Sequence, residues 1–376
     1  MKKVLAFLLV VVLCLGLLAG CGAQEDEPAG TIKIAVAGPL TGDFAEYGTG
    51  FKNAVELMAE QWNANGGVLG MNIEVVPFDD KNSGEEAASI AERIAGDADI
   101  LAVVGHFASG VSMAASPTYQ EAGIIEISPS ASHPDYSKAG DYIFRNNTVI
   151  HIEAKEALDL ATKVAGAKKI AVMSVKTDWG TSTAAIVKDL LEGYEGVELV
   201  AHEEIIDGTV DFSPTVTAFR KAEPDAIVVV GMYNVLAPFA TQYKAVDPEV
   251  DLIGFSNAYS QELINLGKGF VEGVYLPAIF FHGSEDEDIK TFVDSYVEKY
   301  KVVPSSLTAQ AYDSMGIILT AIETAESTDK EVIKDTIYTL DYPGVTGDTH
   351  FDEQGDAQKT FTWIQVQDGT FVQIPK

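Results

Sequence analysis

Residues 100–132 read ILAVVGHFASGVSMAASPTYQEAGIIEISPSAS, and they contain one complete strand–helix–strand unit. Ile100–Val104 is an unbroken apolar run of strand length, the pattern of a strand covered on both faces. Gly105 to Ala108 turns the chain, Ser109–Glu121 follows as a helix, and Ile124–Ser128 is a second apolar run. The same alternation extends outward. Toward the N-terminus it gives strands at Ile32–Ala37 and Ile73–Phe78 and helices near Ala45–Asn65 and Gly84–Ala95. It breaks at Arg145-Asn146-Asn147-Thr148 and then restarts. The second series has strands at Lys169–Val175, Val197–Ile206, Ala226–Gly231 and Asp251–Phe255. Its helices fall at Ile150–Val164, Thr181–Gly193, Pro214–Lys221 and Val235–Ala245. Strands alternating with helices predict an α/β fold of two doubly wound, Rossmann-like lobes.

The remaining third does not form another domain. Helices are expected at Glu287–Tyr300, Ser306–Glu323 and Lys330–Thr339. Strands at Thr360–Gln367 and Thr370–Ile374 flank Asp368-Gly369, a tight-hairpin signal. The economical arrangement returns the helices to the first lobe and closes the last strands against the second. Lobe 1 is then 31–146 plus 280–343, and lobe 2 is 148–278 plus 345–376. Three crossings, near 145–148, 275–282 and 343–348, would form a hinge, as suits two lobes that close on a ligand.

Composition narrows the function classes. The chain has 376 residues, 47% of them hydrophobic, enough for a core in each lobe. Its formal charge of -31 opposes binding to nucleic acid or to a bare anionic membrane. Lys2 and Lys3 precede an apolar run, Val4 to Leu18, too short for a comfortable membrane span. The run ends Leu18-Ala19-Gly20-Cys21, which resembles a bacterial lipobox. That resemblance implies that residues 1–20 are a signal peptide, that Cys21 carries lipid, and that 21–30 are a flexible tether. The other cysteine, Cys14, leaves with the signal, so no disulfide and no cysteine-based zinc site is expected.

Chemistry-bearing motifs are few. No G-x-S-x-G elbow or G-x-x-x-x-G-K-[ST] loop is present. The histidines at 106, 133, 151, 202, 282 and 350 form no close ligand pair. His106 reads as a wall residue rather than a base. No cofactor, no metal and no catalysis are expected, and a secreted hydrolase is the unsupported alternative.

Positive signals lie at strand ends. Gly105 to Ser109 leaves a strand and opens a helix, whose first N–H groups favour an anion; Ser109 adds a hydroxyl there. Ser128-Pro129-Ser130-Ala131-Ser132 follows the neighbouring strand. Carboxyl ends of adjacent parallel strands share one crevice, where open α/β sheets take ligands. In the second lobe, Asp178-Trp179-Gly180 and Gly231-Met232-Tyr233-Asn234 occupy equivalent places, with Trp179 and Tyr233 the expected contacts.

Several pieces in order resemble a known family: Gly38-Pro39-Leu40-Thr41-Gly42 with Tyr47-Gly48, Asn65 to Gly70, Asp79-Asp80, Val104-Gly105-His106-Phe107-Ala108-Ser109, Ile127 to Ser132, and Gly344-Val345-Thr346-Gly347 with Phe351-Asp352 and Gly355-Asp356. Together they resemble the leucine/isoleucine/valine-binding type of periplasmic binding protein, fold type I, from Thr31 to Lys376. The resemblance implies a lipid-anchored, extracytoplasmic, monomeric receptor that hands a small polar molecule to an ABC permease. It implies that Ser130, Ala131 and Ser132 offer a carbonyl to the ligand's ammonium and a hydroxyl and N–H to its carboxylate. It also implies an aromatic cover at Trp179, and it makes Tyr47, Phe107 and Asn257 candidate contacts. Asp313 fits a structural position near the hinge. In the family an acid usually follows the Asp251–Phe255 strand; here Gly254-Phe255-Ser256-Asn257-Ala258 has none. That departure leaves an amino acid, an amide, a urea-like compound or a small organic acid as ligand classes, with another acid free to reach in from elsewhere. A ligand sensor docked on a signalling receptor would use the same fold.

Overall fold

A computed structural model describes residues 30–376. The expectations for the signal peptide, for Cys21 and for most of the tether lie outside the described residues.

Two sheets organise the chain. The first is five-stranded, ordered β2-β1-β3-β4-β5. Its strands are β1 (Thr31–Gly38), β2 (Asn72–Asp79), β3 (Ile100–Val104), β4 (Ile125–Ser128) and β5 (Ile143–Arg145), all paired in parallel. Helices α1 (Ala45–Ala64), α2 (Gly84–Ala95) and α3 (Ser109–Ala122) connect them. Every residue of β3 is buried, as its unbroken apolar run demands. The strand order changes direction between β1 and β3, and a crevice opens there at the carboxyl ends.

The second sheet is ordered β14-β13-β10-β9-β8-β6-β7. Its parallel part is β6 (Lys169–Val175), β7 (Glu198–Ile205), β8 (Ala226–Val230), β9 (Asp251–Ile253) and β10 (Tyr275–Ala278), which repeats the order of the first sheet. The helices are α4 (Ile150–Asp159, extended by a π turn over Leu160–Val164), α5 (Asp178–Leu191), α6 (Ser213–Ala222), α7 (Tyr233–Lys244) and α8 (Gln261–Gly267). β13 (Thr362–Gln367) and β14 (Thr370–Ile374) add an antiparallel edge. Their hairpin turns at Asp368 and Gly369, both at positive φ, as the Asp-Gly pair predicts.

The chain passes to the second sheet after Arg145 and leaves it after Ala278. Helices α9 (Glu287–Tyr300) and α10 (Ser306–Ala325) then pack on α1, and α11 (Lys330–Ile337) packs on α10. The last crossing departs from expectation. After the short ribbon of β11 (Tyr342–Gly344) and β12 (Gly347–Thr349), the chain does not yet join lobe 2. The Asp313 carboxylate accepts the Val345 and Thr346 N–H groups at 3.0 and 2.8 Å. Gly355 O accepts the Arg145 N–H, and Ala357 donates back to Arg145 O. Residues 345–357 therefore stay with lobe 1, and the third crossing falls at 358–361 rather than 343–348. Asp313, fully buried, anchors this return as a structural residue.

Glu126, in the middle of β4, is fully buried, and burial pushes its carboxyl up to about 8. Ser116 Oγ lies 2.6 Å from Glu126 Oε2 and 2.8 Å from Ser112 O. One hydroxyl hydrogen cannot serve both acceptors, whereas a protonated Glu126 can donate to Ser116. The folded state thus holds the proton to higher pH than the unfolded chain does. The stability that this proton confers is complete below about 4.5 and is lost as pH rises toward 8. Glu126→Gln is expected to leave the melting temperature unchanged near pH 4.5 and to raise it at pH 8 and above. Equal melting temperatures at both pH values, by calorimetry, would contradict this.

Candidate ligand-binding site

A cavity of about 480 Å³ lies between the two sheets, in the range of small-molecule sites. Its walls come from the carboxyl ends of strands in both lobes. From lobe 1 come Phe107 to Val111 after β3, Ser130 and Ser132 after β4, and Phe44 before α1. From lobe 2 come Val175 and Thr177 to Trp179 around the end of β6, Met232 after β8, Ser256 and Asn257 after β9, and Asp207 after β7.

Glycine sets both strand-to-helix turns. Gly105 has φ +153°, and a Cβ there would stand 2.2 Å from Ala37 O of the adjacent strand. A Cβ on Gly180, beside Trp179, would stand 2.0 Å from Val175 O. Only glycine lets each helix begin this close to its strand.

In lobe 1 the N-cap of α3 is Ala108, which supplies no side-chain cap. The N–H groups of the first helical turn have no intrahelical acceptor, and Ser109, Gly110 and Val111 all line the cavity. Ser109 is the first helical residue, not the cap. Its Oγ accepts the Ser132 and His133 N–H groups at 3.2 and 3.3 Å, joining the two loops. Ser130 Oγ donates to Phe107 O at 2.6 Å, a second tie between the same loops. Ser130 O accepts Asn147 Nδ2 at 2.9 Å. Ala131 does not line the cavity; it is fully buried, with Arg145 Nη1 3.4 Å from its carbonyl.

Of the other expected contacts, Phe107, Trp179 and Asn257 line the cavity and Tyr47 and Tyr233 do not. Tyr47 stacks on Phe107 with centroids 4.4 Å apart and donates to Asn257 O at 2.7 Å, tying one lobe to the other. Tyr233 opens α7 and turns its ring toward Tyr47, 5.5 Å away. Met232, one residue earlier, takes the wall position. Trp179 also packs edge-on against Phe255, 6.0 Å away, so it is wall and core at once. Ser260 Oγ donates to Glu46 Oε1 at 3.1 Å, a further link between lobes.

Sequence reasoning missed Glu153. It sits in the first turn of α4, it is 3% exposed, and its Oε1 accepts the Ser256 N–H at 2.5 Å. Burial pushes its carboxyl up to about 7. In the sequence it reads as one more acid on an amphipathic helix. Asp178 and Asp207, the other carboxylates of the wall, are exposed at the rim. Among the described residues no Lys, Arg or His lines the cavity, and none group to hold a metal ion.

Residues 31–370 match the family described as periplasmic binding protein. The chain belongs to this family. Within it, the leucine-, isoleucine-, valine-, threonine- and alanine-binding protein of Pseudomonas aeruginosa is 29% identical over 338 residues, 89% of each chain. The branched-chain amino acid transporter substrate-binding protein of Streptococcus pneumoniae, solved with isoleucine, is 30% identical. It superposes with a TM-score of 0.84 over 92% of this chain and all of that one. A leucine-binding protein of Thermotoga maritima is 26% identical, with a TM-score of 0.84 over 92% and 98% of the two chains. Members of this periplasmic binding protein family bind solutes outside the cytoplasm. Among the described residues of this one, no helix is long and apolar enough to cross a membrane.

Ser109→Ala removes the acceptor of two backbone N–H groups. Each buried donor left without a partner costs roughly 1–3 kcal/mol. The variant is expected to lose at least that much in urea unfolding. Unchanged stability would mean that the Ser132 and His133 N–H groups have other acceptors.

Proposed function

We propose that this periplasmic binding protein captures an amino acid, or a close relative with a carboxylate, for delivery to an ABC permease. The observation that carries the reading is the polarity of the cavity. Its lobe 1 wall is a helix N-terminus with serine hydroxyls, which suits a carboxylate without any cationic side chain. Its lobe 2 wall carries the carboxylates. A zwitterion fits both walls. The amino acids named for the relatives support the same class. Ser109 and Ser130 spend their hydrogen bonds on backbone groups, with no histidine beside them in the wall, which supports binding rather than catalysis. Cys21, lipidated, would keep the protein at the membrane beside its permease, as a monomer.

A thermal-shift screen of the twenty protein amino acids, their amides and small organic acids tests this. A compound that binds only the folded state adds about 2.7 kcal/mol of stability at one hundred times its Kd. Amino acids are expected to raise the melting temperature, and carboxylic acids without an amine much less. Stabilisation by dicarboxylates or amides alone, with no amino acid active, would overturn the reading.

A further inference from the structure

We infer that Glu153 is the group that receives the ligand's ammonium, standing in for the acid missing after β9. The inference rests on the amino-acid reading above and deepens it.

Three features of the lobe 2 wall converge on this residue. Glu153 is the only buried carboxylate among the described residues of the wall; Asp178 and Asp207 are exposed at the rim, where water screens them. Its hydrogen bonding is incomplete. Oε1 takes the Ser256 N–H and the Ser256 hydroxyl also bonds the carboxylate, which uses only part of its accepting capacity. In the same cavity lining, the Asn257 amide oxygen is buried without a partner among the described residues. A carboxylate with accepting capacity to spare and an amide oxygen without a donor form a receptor for a group with several N–H bonds, and an ammonium has three.

The lobe 1 carbonyls are less suited to that task. Ala131 O lies against the Arg145 guanidinium, whose charge opposes a second cation at the same oxygen, and Ser130 O already serves Asn147. A charge buried in this wall needs an opposite charge beside it. Without one, burial holds the Glu153 carboxyl up at about 7. An ammonium at hydrogen-bonding distance supplies the opposite charge and fixes the carboxylate form.

The geometry also accounts for how the acid could move along the sequence. Ser256 N–H donates to Glu153, so the end of β9 and the first turn of α4 meet at one point of the wall. A carboxylate on either element reaches the same space. Selectivity follows: a compound with the carboxylate but not the amine leaves Glu153 and Asn257 facing nothing cationic.

Isothermal titration decides the matter. The twenty protein amino acids are titrated into the wild-type protein and into Glu153→Gln. The tightest one is then compared with its des-amino carboxylic acid. Glu153→Gln is expected to weaken that amino acid tenfold or more, while the des-amino acid, where it binds at all, changes less. Adding Ser256→Glu to Glu153→Gln is expected to recover part of the affinity, because the charge returns to the same space. A loss below tenfold in Glu153→Gln overturns the inference and leaves the amino-acid reading standing. Failure of every amino acid to bind the wild type overturns both. Should Glu153→Gln not fold, a crystal structure of the wild type with its tightest amino acid decides. An ammonium within about 3.2 Å of a Glu153 oxygen supports the inference, and one that touches neither oxygen overturns it.

Discussion

The Arg145 guanidinium lies at the end of β5 with no exposure to solvent, where the first crossing between lobes begins. Nε meets Asp356 Oδ1 at 2.5 Å, Nη1 donates to His133 O at 2.9 Å, and Nη2 donates to Ser137 Oγ at 3.0 Å. One side chain therefore joins the loop that lines the cavity to the segment that returns before the last crossing. Removing either partner would leave a buried charge unpaired, a loss of about 3–5 kcal/mol. Hinge and binding loop cannot shift independently while this cluster holds.

A division of labour runs through the molecule. Lobe 1 presents a wall fixed before any ligand arrives. Gln310 Nε2 donates to Pro129 O and Asn146 O, Ser109 takes two N–H groups, and Ser130 ties back to Phe107. Such preorganisation lowers the ordering cost of binding. Lobe 2 brings the acids, and its direct links to lobe 1 include Tyr47 to Asn257 O, Ser260 to Glu46, the Ile150 N–H to Ser132 O, the Tyr259 hydroxyl to His282, and the Asp178 carboxylate against Gly110. These links are single polar contacts rather than a continuous apolar interface, and a ligand that touches both walls adds to the contacts that hold the lobes together. Glu46, pushed up to about 7 by burial at the seam, places a second titrating carboxyl where the lobes meet.

Much of this was legible in the sequence. Continuous apolar runs fixed the buried parallel strands, and β3, β6 and β14 fall on the predicted residues because turn residues bound them sharply. The lobe 1 wall was legible because an open α/β sheet leaves little choice about where loops after β3 and β4 point. Other parts depend on distant contacts. β5 and β10 are three and four residues long, too short for a period to show. The return of residues 351–357 beside Arg145 is a polar stretch held by tertiary pairing, so the last crossing was placed too early. Met232 and Tyr233 exchanged roles because the helix begins one residue later than the wall ends. Glu153 was invisible because its neighbour in space, Ser256, is 103 residues away along the chain.

The central claim is that binding and lobe closure are one event, since the cavity exists only where the two walls face each other. Both native cysteines precede residue 30, so residues 30–376 carry only introduced labels. Spin labels at Val302→Cys beside lobe 1 and Leu266→Cys on α8 of lobe 2, both exposed, report the distance across the seam by pulsed electron resonance. Without ligand a broad distribution reaching longer distances is expected. With a saturating amino acid it should collapse to one short, narrow peak. A distribution that does not change on saturation would contradict the account.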